Sequence, residues 1–196
     1  MEQSTFAQKP LTPTPHEENS LWEIIKFAAL ALVIVIPIRM FVGQPFIVSG
    51  ESMSPTFENA NYLIVDELSY HFHEPVRGDV IVFRYPKDTS KFFIKRVIGL
   101  PGETVKIAGN TITVINTAHP EGFTLDEEYV KHPSDNTLTR EVGTDELFVM
   151  GDNRSGSSDS RVWGNLPEKD IIGRVFVRLF PLKDISYLPG SLNSFK

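Results

Sequence analysis

Cysteine is absent from the 196 residues, which removes disulfides, thiolate catalysis and cysteine-ligated zinc together. The redox compartment stays open, because a cysteine-free chain suits either side of a membrane. A surplus of positive charge is missing too: 19 Lys and Arg stand against 25 Asp and Glu, a net charge of −6, with no basic run of the kind that tracks a phosphate backbone. Nucleic acid is therefore not an expected partner. Internal repeats are lacking, and no histidine sits in a convincing triad context: His16 falls in the N-terminal stretch, His71 and His73 near a turn, His119 and His132 in a polar segment. His71 and His73 would share one strand face, and solvent-facing polar residues are the reading preferred there over metal ligands. No cofactor and no metal are expected.

What is present is ample apolar material. Hydrophobic residues make up 41% and charged ones 22%, a balance that builds a core and argues against a disordered chain. Residues 1–20 are the exception, rich in Pro, Thr, Ser, Glu and Gln, and read as a disordered tail. Residues 27–38 (FAALALVIVIPI) carry no charge but fall short of the roughly 18–20 residues of a spanning helix. Extended over 21–43 the segment reaches that length, with Lys26 and Arg39 snorkelling to the headgroups and Trp22 as interfacial anchor. No small-x-small cleavage signal follows it, so an uncleaved anchor is expected. Lysine and arginine counts on its two sides specify the orientation only weakly.

Residues 44–196 amount to one domain. Short runs rich in Val, Ile and Phe at 62–65, 80–84, 92–98, 111–115, 147–150 and 171–180 are separated by turn signals such as Pro101-Gly102 and Gly109-Asn110. A mainly β body follows, a barrel or sandwich of small antiparallel sheets. The polar stretch 116–144 reads as a short cap insertion, within a region of about 103–146. Arg77-Gly78-Asp79 reads as a turn opening a strand.

Three segments hold residues suited to chemistry. In the first, Ser49-Gly50-Glu51-Ser52-Met53-Ser54-Pro55-Thr56, Gly50 permits positive φ and Pro55 ends any regular strand, so Ser52 is presented on a tight turn. In the second, alternation along 92–98 puts Phe93, Lys95 and Val97 on one face and Arg96 on the other. An amine between Phe and Val is desolvated, which lowers its pKa and suits it to act as a base; the competing reading has Lys95 or Arg96 guarding an edge strand. Because residue 96 points to the opposite face, Arg96→Lys is expected to retain most activity. The third runs from Gly151 to Arg161, a polar loop that Trp163 would dock.

In this order, with Arg77-Gly78-Asp79-Val80-Ile81 and Ile94-Lys95-Arg96-Val97-Ile98-Gly99-Leu100-Pro101-Gly102, the segments resemble those of the bacterial type I signal peptidases, membrane-anchored Ser-Lys endopeptidases. The resemblance implies that Ser52 is the nucleophile, Lys95 the general base, and Ser157 the group that orients the amine. It implies that Asp159 pairs with Arg161 to hold the loop, supported by Asp152 and Arg154. Some members place a serine hydroxyl two positions before the nucleophile as an oxyanion donor; Gly50 stands there instead, leaving that donor to backbone or water. Met53 is a candidate for substrate or membrane contact. The implied partners are preprotein signal peptides, the lipid bilayer and the secretion machinery. The implied location is the plasma membrane, single-pass, with a cytoplasmic N-terminus and an extracytoplasmic catalytic domain. Open alternatives are a catalytically inactive assembly or binding subunit and a peptidase dedicated to one pilin or conjugation substrate.

Overall fold

A computed structural model describes residues 20–41 and 43–191. The chain divides into two compact units, Met1–Ile38 and Arg39–Lys196, each described by itself. In the first, helix α1 (Ser20–Phe41) begins; over 21–35 every side chain but Ala31 is exposed, although nearly all are apolar. Lys26 lies over the Trp22 ring at 5.7 Å. Among the described residues no helix is long and apolar enough to cross a membrane. The tail expected over 1–20 lies outside the described residues except for Ser20, where α1 starts.

The second unit is built from two antiparallel sheets. The larger contains β1 (Gln44–Ile47), β2 (Tyr62–Asp66), β3 (Val80–Tyr85), β4 (Asp88–Gly99), β9 (Glu146–Met150), β10 (Leu166–Pro167), β11 (Ile171–Phe180) and β12 (Ser186–Tyr187). Its order is β1-β2-β11-β3-β4-β9-β10, with β12 on β11, an open path rather than a closed barrel. The smaller sheet has the order β7-β6-β5-β8, from β5 (Thr104–Ala108), β6 (Thr111–Ile115), β7 (Phe123–Thr124) and β8 (Thr137–Glu141).

Alternation explains why the central strands are apolar on both faces. Val80 and Val82 of β3 join Met53, Phe57, Leu63 and Val65 in one core, while Ile81 and Phe83 join Val97, Leu147, Val149 and Trp163 in another. β9 divides likewise: Phe148 and Met150 face a third core shared with Val105, Ile107 and Val114 of the small sheet. β4 is flanked by β3 and β9, so Lys95 and Arg96 do not guard an edge. The stretch read as a cap is part of the small sheet: β8 pairs along all of β5, and Leu125 and Val142 are buried in the third core.

Candidate active site

Ser52 owes its place to the residues around it. Gly50 takes φ +96°, a conformation costly for side-chain-bearing residues, and donates its N–H to Asn59 Oδ1 at 3.0 Å. Beyond it the chain turns, with Phe57 N donating to Met53 O at 2.9 Å. Met53 and Phe57 are both driven into the core, at 1% and 0% exposure, and leave Ser52 part-exposed between Gly50 and the core. Met53, the candidate for substrate or membrane contact, is buried in the core that also holds Val48, Leu63 and Val82.

Lys95 is 3% exposed. Its Nζ lies 2.8 Å from Ser52 Oγ, donates to Ile94 O at 2.7 Å and stands 5.3 Å from the Phe93 ring centroid. Desolvation pulls its pKa down to about 8, against the opposing pull of Asp159 and Asp152. A hydroxyl held against an amine that is substantially neutral near pH 8 can have its proton removed as it attacks an electrophile. The pair sits in an open cavity of about 450 Å³ whose walls include Phe46, Ile47 and Val48 on one side and Phe92, Phe93 and Ile94 on the other.

The loop 151–161 packs against this pair. Asn153 N donates to Ser52 O at 3.1 Å, fixing the turn that carries the hydroxyl. Asp159 accepts from Gly151 N at 3.0 Å and from Arg161 Nε and Nη2 at 2.8 and 2.7 Å, and it caps α2 (Ser160–Trp163). Arg161 continues to Ser134 Oγ and Asn136 Oδ1 at 2.8 and 2.9 Å. Arg154 reaches Gly151 O at 3.0 Å and the Glu127 carboxylate at 2.8 Å. Trp163, buried against Phe83, docks the loop's end.

Several placements differ from the sequence reading. Ser157 Oγ is buried without a hydrogen-bond partner among the described residues, so the bond expected from it to Lys95 is not made. It lies instead where a Cβ on Gly151 would stand, 2.3 Å from that point, with Ser52 O at 2.4 Å from it. Glycine at 151 therefore lets the hydroxyl and the Ser52 carbonyl pack together. Asp152 supports the loop through a partner the sequence reading missed: Arg96, fully buried, donates from Nε and Nη2 to its two oxygens at 2.8 and 2.6 Å. Arg96 also donates to Gly78 O at 2.9 Å and to Gly190 O, while Thr56 Oγ1 donates to Asp152 at 2.6 Å. The opposite-face argument for Arg96 correctly separates it from the amine but hides that it holds the loop from behind. No signal in the sequence marked this pair, because Arg96 and Asp152 lie 56 residues apart and neither local pattern points to the other. His71 ends a 3-10 turn (Ser69–His71) and His73 follows it, both exposed, so the shared strand face does not exist. At Gly50 the space a Cβ would fill is open within 4 Å.

The fold and this pairing define a class: an antiparallel β body that holds a serine hydroxyl against a desolvated lysine amine. The model of the family described as "Signal peptidase, peptidase S26" matches residues 21–180. A signal peptidase I from Leptolyngbya laminosa is 40% identical over 92% of this chain and 90% of its own length. A probable signal peptidase I-1 from Synechocystis is 40% identical over 87% of this chain and 88% of its own, and signal peptidase I P from Bacillus subtilis subsp. natto 35% identical over 87% and 95%. The chain belongs to the signal peptidase family, peptidase S26.

Proposed function

We propose that the chain is a membrane-anchored serine endopeptidase that removes N-terminal signal peptides from exported preproteins, cutting after small residues. The observation that supports it best is the 2.8 Å approach of Lys95 Nζ to Ser52 Oγ, with the amine's pKa lowered to about 8. An extended precursor lies in the cavity between β1 and the outer half of β4, where main-chain pairing and shallow apolar walls favour small side chains next to the cut. Neutral Lys95 takes the Ser52 proton as Oγ attacks the scissile carbonyl carbon, and the oxyanion faces the Ser52 N–H. Collapse breaks the C–N bond, and the Lys95 ammonium returns the proton to the departing amine of the mature protein. Lys95 then deprotonates a water that attacks the acyl-enzyme, freeing the signal peptide and restoring Ser52. Asp159 and Arg161, with Asp152 and Arg154, hold the loop, and Ser157 lies beside the pair without bonding the amine.

The apolar, mostly exposed side chains over 21–35 support an anchor over 21–43, with the N-terminus cytoplasmic and 44–196 extracytoplasmic, where exported chains present their cleavage sites. Secretion machinery is the expected neighbour there. The test is incubation of the detergent-solubilised protein with several signal-bearing precursors, followed by N-terminal sequencing of the products. Cleavage after small residues is expected; intact precursors, with Ser52→Ala indistinguishable from wild type, would reject the assignment.

A further inference from the structure

The segment between β7 and β8 leaves the small sheet at Leu125, buried in its core, and runs to the catalytic loop. There His132 bridges Asn153, and its carbonyl accepts from Ser155 N at 3.2 Å. Between these points it presents Glu127 and Tyr129. The Glu127 carboxylate accepts from both Nη atoms of Arg154, at 2.8 Å from Nη1, and from the Tyr129 hydroxyl at 2.7 Å. The Tyr129 ring centroid lies 4.1 Å from the Arg96 guanidinium carbon and 6.0 Å from that of Arg154. Burial and the Glu127 charge push the phenol upward, so the hydroxyl remains a donor wherever the fold persists.

Arg96 is the group this ring rests on, and it follows Lys95 directly in β4. It forks onto Asp152, and the charge of Asp152, with that of Asp159, favours the protonated form of the Lys95 amine. Arg161 meets Asp159, and Arg154 meets Glu127. A planar ring against a guanidinium restricts its tilt and adds cation–π attraction, which a branched aliphatic side chain cannot do.

We propose that Tyr129 is a positioning residue of the Ser52–Lys95 site: its ring, oriented by Glu127, keeps Arg96 seated on Asp152 and thereby holds the loop whose Asn153 N–H fixes Ser52. The inference rests on the reading of Ser52 and Lys95 as nucleophile and base. Without the ring Arg96 tilts off Asp152, whose less-neutralised charge then favours the Lys95 ammonium, and the turn bearing Ser52 loosens.

The experiment compares the full-length protein in detergent micelles with Tyr129→Leu, Tyr129→Phe and Glu127→Gln. Precursor cleavage is measured across pH, with thermal unfolding of the same samples and Lys95 titration by NMR of isotopically labelled lysine. Tyr129→Leu should lower kcat by about tenfold with KM nearly unchanged, and move the alkaline limb and the Lys95 titration up by about half a pH unit. Tyr129→Phe, which keeps the ring, should stay within about threefold of wild type, and Glu127→Gln should fall between. Wild-type kcat and titration in Tyr129→Leu would overturn the proposal. So would a loss that follows the melting temperature with the titration unmoved, or an equal loss in Tyr129→Phe. If the wild type cleaves nothing, the peptidase reading falls by itself, and the NMR titration still decides: an unmoved Lys95 in Tyr129→Leu rejects the positioning role.

Discussion

Lys95 carries a charge the fold resists. Its folded-state pKa, about 8, lies below the 10.5 of an unhindered lysine, so protonating the buried amine opposes folding. That penalty is present in full below about pH 8 and disappears as pH rises towards 10.5. Compared with Lys95→Met, the wild type should therefore gain about 3 kcal/mol of relative stability between those limits, read by urea denaturation at several pH values; a flat difference would contradict the buried-amine account. Cleavage should rise along an alkaline limb near the same pKa, and Lys95→Arg, unable to deprotonate, should fold but not cleave. Arg96→Lys, expected from the sequence to retain most activity, should nevertheless be less stable. Losing the fork on a fully buried Asp152 should cost about 3 kcal/mol, and a loss below about 1 kcal/mol by the same denaturation would show that the pair is not built as described. The face argument for Lys95 was legible because Phe93 and Val97 flank it at the strand period. The partner of Arg96 was not, since its carboxylate is 56 residues away and alternation along one strand says nothing about what lies across a fold.

Runs rich in Val, Ile and Phe announced several strands, and β6 and β11 begin and end where the runs do. β8 did not: Thr137–Glu141 has Leu138 as its apolar residue, and its strand geometry comes from pairing with β5. That dependence is why 116–144 looked like a polar cap. The helix α2 is only four residues long, set by the Asp159 cap and by Trp163, features of a loop rather than of a periodic segment. Trp163→Ala should cost about 3 kcal/mol and speed amide exchange across 152–161 more than across β3. Equal exchange in the two regions would mean that the tryptophan does not fasten the loop.

For the assembled molecule, the proposed anchor and its proposed direction make a claim that cells can test. Protease added outside wall-stripped cells should digest the body beyond residue 43 and leave the N-terminal tail protected; a protected body with an accessible tail would invert the assignment. The site itself joins Ser52, Lys95 and Asn153, and the Arg96 beside the amine also reaches the Gly190 carbonyl. A nascent chain that has reached β4 already contains both reacting side chains, yet it lacks the carboxylate under Arg96 and the amide that pins the Ser52 carbonyl. Order of synthesis thus acts as a timer. Neither the Arg96–Asp152 fork nor the Asn153–Ser52 contact can close until the chain has been made through residue 153, so the geometry of the site waits on the loop rather than on its two reacting side chains.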